Sequence, residues 1–448
     1  MTELRDAQVV VVGLGASGLA AARVLSGEGA RVRVTEARAR HEVETEAAEA
    51  ERLGAEVLAG GHEEKHLEGA RLVVTSPGVP ESAEVLRAAR RARIEVWSEL
   101  ELGARLARCP YVGVTGTNGK TTTTEMIAAA MRESGLDAMA CGNVGYPFSQ
   151  AAAEGHQALA VEASSFQLRF HRTFHPRVSV LLNLAPDHLD WHGSFERYRG
   201  AKARIHELQG RGETHVGNRD DAHAAAVSRQ APCRVVWFTL EPPDRGSVGM
   251  EGDELVARLE DARRLGSPLS PAPSHRADAA AAAAAAISFG LEPDVVGRAV
   301  CSFGPLPHRG TVVAEVDGVR FVDDSKATNP HAALAAIQGL AGAVLVAGGR
   351  SKGVDLSPLA QAVPRLRGVV VLGEAAGELA GLFEGSVPMR RASSIEEAVE
   401  LGRSLAARGS AVVLAPACSS LDMFRDYRER GDRFSAAARK LQEAGARA

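Results

Sequence analysis

The chain has 448 residues, room for three domains of ordinary size and for more than one hydrophobic core. Its 52 Lys and Arg stand against 56 Asp and Glu, a formal charge of −4, which excludes the bulk basic excess that binds nucleic acid by counterion release. Hydrophobic content of 45% with 24% charged residues excludes a disordered, collagenous or coiled-coil chain.

The first hundred residues alternate strand and helix. Strands are expected at Val9–Gly13, Arg31–Thr35 and Leu72–Thr75, with helices from Gly18, Glu42 and Glu81, a pattern of parallel βα units. Met1 to Gln8 carry Glu3, Arg5 and Asp6 and run into a four-valine strand, so no secretory leader is expected and the chain reads as cytoplasmic. A charged helix from Ser98 to Arg108 leads through Pro110 to a strand at Tyr111–Thr115 and a glycine-rich turn. The second α/β run has strands at Ala158–Val161 and Val178–Leu182 and helices at Phe195–Leu208 and His275–Phe289, with loops or short strands over 241–273. The alanine-rich stretch 279–291 is shorter than the roughly 20 residues a membrane span needs and reads as a buried helix. Beyond Phe303-Gly304-Pro305-Leu306-Pro307, a hairpin turning at Asp317-Gly318 precedes strands at Ala343–Ala347, Gly368–Leu372 and Ala411–Leu414. The expected fold is α/β in three domains: Rossmann-like over 1–98, a P-loop ATPase-like parallel sheet over 99–305, and Rossmann-like again over 306–448.

Chemistry is signalled first by Val114-Thr115-Gly116-Thr117-Asn118-Gly119-Lys120-Thr121-Thr122, between a strand and a helix. Glycines let backbone N–H groups curl round phosphate oxygens, the helix N-terminus adds positive dipole, Lys120 reaches the β/γ-phosphates and Thr121 can hold Mg²⁺. Val114 replaces the first glycine of the strict motif. A second turn, Gly13-Leu14-Gly15-Ala16-Ser17-Gly18, has Glu36 at the end of the following strand; NAD, a UDP-sugar and a ligand-free turn all remain open. Ser76-Pro77-Gly78 forms a rigid turn at the same sheet edge. Glu162 and His188, each after an apolar strand, could converge on a nucleotide's Mg²⁺. His188 and His192 at i, i+4 lack a third ligand at zinc spacing, and the five cysteines form no C-x-x-C pair, so zinc and disulfides are not expected. Only six of the 52 basic residues are lysines: Lys65, Lys120, Lys202, Lys326, Lys352 and Lys440. In such a chain a lysine marks a place needing an amine or ammonium.

Together with Glu162–Leu168 (E-A-S-S-F-Q-L), Asp187–Asp190 (D-H-L-D), Asp323–Pro330 (D-D-S-K-A-T-N-P) and Ser419–Phe424 (S-S-L-D-M-F), the phosphate turn resembles the Mur ligases, ATP-dependent amide-forming enzymes of bacterial wall synthesis. The last two runs resemble the branch that adds D-glutamate. The resemblance implies ATP on Gly116, Thr117, Asn118, Gly119, Lys120, Thr121 and Thr122, with Arg309, Asp324 and Lys326 also on ATP. It implies two Mg²⁺ ions on Thr121, Glu162, His188 and a carbamylated Lys202, since only a primary amine takes up CO₂. Catalysis would rest on Lys120, Glu162, His188 and Lys202. Gly15, Ser17, Glu36, Ser76, Pro77, Gly78 and Asn143 would hold a UDP-linked substrate, and Thr328, Lys352, Ser420, Leu421 and Tyr427 would hold D-glutamate. The implied partners are UDP-N-acetylmuramoyl-L-alanine, D-glutamate and ATP, with no nucleic acid, no membrane and a monomeric chain. One departure stands out: the family's H-N-x-x-N, an adenine-side motif, reads His275-Arg276-Ala277-Asp278-Ala279 here, with Asp278 the expected substitute. The competing readings are a related ligase for another amino acid, of Mur or folylpolyglutamate type, an NAD(P)-dependent oxidoreductase on Gly13–Gly18, and a non-catalytic UDP-sugar-binding regulator.

Overall fold

The computed structural model describes residues 4–445, so Glu3 of the charged start lies outside the described residues. Among those described, the strands form three sheets. The first contains β1 (Gln8–Val12), β2 (Arg31–Glu36), β3 (Glu56–Ala59), β4 (Ala70–Thr75) and β5 (Glu95–Ser98), all parallel in the order β3-β2-β1-β4-β5. The chain leaves β1 towards β2 on one side and returns to β4 on the other. That reversal opens a crevice beyond the carboxyl ends of β1 and β4, where doubly wound sheets bind ligands.

The second sheet contains β6 (Tyr111–Thr115), β7 (Ala138–Gly142), β8 (Ala158–Glu162), β9 (Val178–Leu181), β10 (Thr214–Asn218), β11 (Arg234–Phe238), β12 (Ser247–Glu251), β13 (Glu254–Arg258) and β14 (Ala262–Gly266). Their order is β14-β13-β12-β11-β10-β9-β6-β8-β7. Pairing is parallel from β7 through β12, and the polar stretch expected as loops or short strands supplies two antiparallel edge strands, so the sheet is mixed. Here β6 is the switch point, flanked by β8 and β9. The helix Pro273–Phe289 buries Ala279–Ala286 completely, in one cluster with Val112, Val114, Val178, Val180 and Met126. A run of methyl groups lets a helix lie close on a sheet, which explains the alanines better than any lipid contact. No helix among the described residues is long and apolar enough to cross a membrane.

The third sheet contains β15 (Thr311–Val316), β16 (Val319–Asp323), β17 (Ala343–Gly348), β18 (Leu366–Leu372), β19 (Met389–Arg391) and β20 (Ala411–Ala417), ordered β15-β16-β20-β17-β18-β19. The β15–β16 hairpin turns at Asp317 and Gly318, both at positive φ, as a two-residue loop of this type requires. The remaining pairs are parallel. The chain divides into two compact units. One runs to Leu184 and includes Glu196–Leu269 and Ala277–Phe303; the other comprises Ala185–Phe195, Ser270–Arg276 and the chain from Gly304 onward.

Candidate functional site

In the first unit, the turn after β1 needs two of its three glycines. Gly13 sits at φ +90, and a Cβ at Gly18 would collide with the Gly13 carbonyl oxygen. Gly15 faces open space. The turn borders a cavity of about 490 Å³ whose lining includes Gly15, Ser17, Glu36, Ser76, Pro77 and Gly78, bringing six of the sequence-selected residues together. Ser76 Oγ donates to the Gly13 carbonyl at 3.1 Å, tying the two turns. Glu36, 5% exposed, accepts the Leu14 N–H at 2.6 Å and the Arg38 N–H at 2.9 Å, and pairs with the Arg38 guanidinium at 3.0 Å. Burial alone would raise its carboxyl, but hydrogen bonds from the Arg38 side chain, the Arg38 and Leu14 N–H groups and the Arg38 charge outweigh it and hold the pKa at about 2. Asn143 lies elsewhere, against Glu162.

At the switch point of the second sheet, β6 runs into the phosphate turn and the helix Lys120–Glu133, with Gly119 left-handed at φ +84. Lys120 Nζ donates to the Gly116 and Thr117 carbonyls at 3.0 and 2.9 Å, spanning the loop. Thr121 Oγ1 donates to Glu162 Oε2 at 2.8 Å, while Asn143 Nδ2 donates to Glu162 Oε1 at 3.0 Å. Lys202, 2% exposed, donates to the Gly116 carbonyl at 2.7 Å and lies 4.8 Å from the centre of the Tyr198 ring; the Tyr198 hydroxyl is 3.0 Å from Thr117 Oγ1. The structure therefore brings Lys120, Thr121, Glu162, Asn143 and Lys202 around one loop. A hydroxyl and a carboxylate at the phosphate end of that loop are hard oxygen donors that suit Mg²⁺, so the residues present fit the ion. Among the described residues no group of three or more His, Cys, Asp or Glu forms a metal cluster on its own. Asp278 lies beside the first turn of the phosphate-loop helix, accepting from Thr123 Oγ1 at 3.3 Å.

Sequence reasoning missed Asn183. Its Oδ1 accepts the Asn118 N–H at 2.8 Å, its Nδ2 donates to the Asn118 carbonyl at 3.1 Å, and its own carbonyl accepts the Thr117 N–H at 2.9 Å. One side chain thus holds the outer edge of the phosphate turn as a strand partner would. Its place just past the end of β9, the neighbour of β6, was the available signal.

In the second unit, Asp324, Lys326 and Thr328 follow the carboxyl end of β16, Lys352 that of β17 and Ser420 that of β20, while Arg309 precedes β15 and Tyr427 opens the last helix. His188 adopts a left-handed conformation at φ +53 ahead of the short helix Leu189–His192. Its neighbour Asp187, 4% exposed, accepts from Asn329 Nδ2 at 3.1 Å and pairs with Lys352 at 3.3 Å, and Lys352 also donates to Thr328 Oγ1 at 3.3 Å. Lys326 Nζ lies 4.0 Å from the centre of the Tyr427 ring. Burial pushes the Asp324 carboxyl up to about 7, the Arg309 charge opposing and the Asp323 charge assisting. Ser420 is buried and Leu421 is 59% exposed. A further buried group, Arg430, is 1% exposed: its Nη2 and Nε donate to the Ser325 carbonyl and Oγ at 2.8 and 3.0 Å, and its Nη1 to the Cys418 carbonyl at 3.2 Å. Burial draws its guanidinium down to about 10. Among many arginines of ordinary surface charge, nothing local to position 430 set this one apart.

Comparison with known proteins places similarity along nearly the whole chain. Residues 7–98 match the Mur ligase MurD-like N-terminal domain, 114–285 the Mur ligase middle domain and 308–418 the Mur ligase glutamate ligase domain. The chain is 44% identical to the UDP-N-acetylmuramoylalanine--D-glutamate ligase of Frankia casuarinae, covering 96% of this chain and 93% of that one. It is 40% identical to the enzyme of the same name from Pelotomaculum thermopropionicum, over 95% of this chain and 96% of the relative. Among solved structures, UDP-N-acetylmuramate-alanine ligase MurC of Thermotoga maritima superposes with TM-score 0.61 at 18% identity, covering 97% and 99% of the two chains, which speaks to the fold alone.

Proposed function

The chain belongs to the Mur ligase family, and from that premise we infer that it joins D-glutamate to UDP-N-acetylmuramoyl-L-alanine at the expense of ATP, in peptidoglycan synthesis. The observation that carries the chemistry is the phosphate turn, where Lys120 spans the loop while Thr121 and Glu162 meet at 2.8 Å. An amide cannot form from a carboxylate and an amine in water without activation. A carboxylate oxygen of the L-alanyl group attacks the γ-phosphorus in line, the bond to the bridging oxygen breaks, and ADP leaves. The unprotonated amine of D-glutamate then attacks the acyl carbon, inorganic phosphate departs, and the amine gives up a proton.

Within this scheme Lys120 swings from the loop carbonyls to the β/γ-phosphates, and Gly116, Thr117, Asn118, Gly119 and Thr122 line the phosphate path. Thr121, Glu162, His188 and a carbamylated Lys202 are assigned to two Mg²⁺ ions, His188 on family likeness. Those ions supply charge neutralisation at the transferring phosphoryl group. What supports the assignment of Lys202 is its place, 2% exposed with its amine against the Gly116 carbonyl of the phosphate turn. Arg309, Asp324 and Lys326 are carried over as further ATP residues, and Asp278 as the acidic substitute on the adenine side. Gly15, Ser17, Glu36, Ser76, Pro77 and Gly78 line the cavity assigned to the UDP end, with Asn143 assigned to the sugar. Thr328, Lys352, Ser420, Leu421 and Tyr427 are assigned to D-glutamate. The proposed domains are 1–98, 99–305 and 306–448, in a monomer working in the cytoplasm, where ATP and UDP-linked precursors are found.

The test is phosphate release from Mg²⁺-ATP with UDP-N-acetylmuramoyl-L-alanine in the presence of D-glutamate, L-glutamate, L-lysine or no amino acid. Release with D-glutamate alone supports the reading; release with another amino acid alone overturns the substrate assignment while keeping the ligase.

A further inference from the structure

A buried carboxylate outside the assigned site is wired to both chain segments that hold Glu162. Glu99 opens the helix Glu99–Leu106 and is 1% exposed. Its two oxygens serve two different helix starts. Oε1 accepts the Ser149 N–H at 2.6 Å, in the first turn of the helix Phe148–Glu154. Oε2 accepts from Gln167 Nε2 at 3.3 Å. Gln167, itself fully buried, uses its own Oε1 to accept the Ser164 N–H at 3.0 Å and the Ser164 hydroxyl at 2.8 Å, while Ser164 Oγ accepts the Gln167 N–H at 3.3 Å. The result is a closed capping box at the start of the helix Ser165–Arg169.

Each wire ends on a chain segment that adjoins Glu162 or its partner Asn143. Ser164 lies two residues after it, and the helix Phe148–Glu154 begins five residues after Asn143. Asn143 grips Glu162 twice, Nδ2 on Oε1 at 3.0 Å and N–H on the carbonyl at 2.9 Å. We propose that Glu99 is a positioning residue, which through Gln167 and the Ser149 helix start fixes the Glu162 carboxylate where Thr121 meets it. The proposal rests on the reading of Glu162 as a metal-facing carboxylate.

A carboxylate is required because both positions must accept. An amide at 99 turns one NH₂ onto a donor, either the Ser149 N–H or the Gln167 NH₂. Rotating the Gln167 amide only moves the conflict to the Ser164 N–H, so one buried donor is always left unpaired. The charge can, however, be moved one place along the wire. In the double variant Glu99→Gln with Gln167→Glu, the amide introduced at 99 accepts from Ser149 and donates to the carboxylate introduced at 167, which still accepts from Ser164.

The test uses the full chain with ADP and Mn²⁺ as a stand-in for Mg²⁺, reading bound metal by electron paramagnetic resonance beside the melting temperature and phosphate release. Glu162→Gln is the reference and should weaken Mn²⁺ binding. Glu99→Gln and Gln167→Glu should each weaken it about 10-fold, the usual scale for groups that orient a metal ligand. The double variant should return to within about 3-fold of the parent. Loss of metal affinity in Glu162→Gln with none in Glu99→Gln overturns the proposal, as does a double variant that does not recover. Unchanged Mn²⁺ binding in Glu162→Gln overturns the reading of Glu162 itself. Should Glu99→Gln not fold, Gln167→Glu and the double variant carry the same comparison.

Discussion

The turn after β1 and the turn after β6 share a plan of strand, glycines and helix start, yet they offer opposite charge to a ligand. After β1 the turn amide of Leu14 already holds an anion, the buried Glu36 carboxylate, kept ionised by Arg38. After β6 a lysine ammonium spans the loop and a threonine hydroxyl meets a carboxylate. Glycine spacing marks where a backbone can come close to a ligand. The side chains around the turn, from the neighbouring strand for Glu36 and from the turn's own helix for Lys120, decide what charge that ligand must bring. A carboxylate at the first turn suits the hydrogen-bond donors of a ribose or a base; an ammonium at the second suits phosphates.

Lys120 is where the two turns separate most sharply. Lys120→Ala should lower the rate of phosphate release by about 10²- to 10³-fold, the range for losing one preorganised charge donor, while affinity for the UDP-linked substrate stays unchanged. Calorimetric titration with that substrate checks the second half, and a matching loss there would mean the two turns do not act separately. A smaller effect, on stability, separates two glycines of the first turn. Gly18→Ala drives a methyl into the Gly13 carbonyl and should cost about 1–3 kcal/mol in urea denaturation. Gly15→Ala meets nothing within 4 Å, so its stability should stay within about 0.5 kcal/mol of the parent while the KM for the UDP-linked substrate rises.

Much of this was legible beforehand because parallel strands buried on both faces read as apolar runs: Val9–Val12, Ala158–Val161 and Val344–Val346 announce themselves. Strands such as Glu56–Ala59, Thr214–Asn218 and Met389–Arg391 did not, being short, partly polar or at an edge, where pairing rather than pattern makes the strand. The helix expected over Phe195–Leu208 remains α-helical to Ala203 and tightens into a 3₁₀ turn over Arg204–His206. Scarcity of lysine drew attention to Lys120 and Lys202, which lie against the phosphate turn, to Lys326, which faces the Tyr427 ring, and to Lys352, which pairs with Asp187, whereas Lys65 pairs with Glu63 in the open and Lys440 is exposed. Asn183, Glu99 and Arg430 stayed hidden because their work is to hold other backbone segments. Such a role depends on partners as far as 105 residues away, and no local pattern encodes it.

The finest test of the difference between the turns is pH. Glu36 has a folded-state pKa of about 2, below the ordinary 4.5 it regains on unfolding. Between those values the unfolded chain binds the proton and the folded chain does not, so falling pH favours unfolding. The contribution of Glu36 is therefore complete above about pH 4.5 and disappears as pH falls towards 2. The full shift would correspond to about 3 kcal/mol, and the exposure of Arg38 to solvent screens that to about 2 kcal/mol. Urea denaturation of the parent and Glu36→Gln should differ by that amount at about pH 6, with the gap narrowing steadily below about pH 4.5. High salt should shrink it at the upper pH, because half of the pair is open to water. A gap that stays constant from about pH 6 to about pH 3 would mean that Glu36 acts by shape alone, and the opposite-charge account of the two turns would lose its first half.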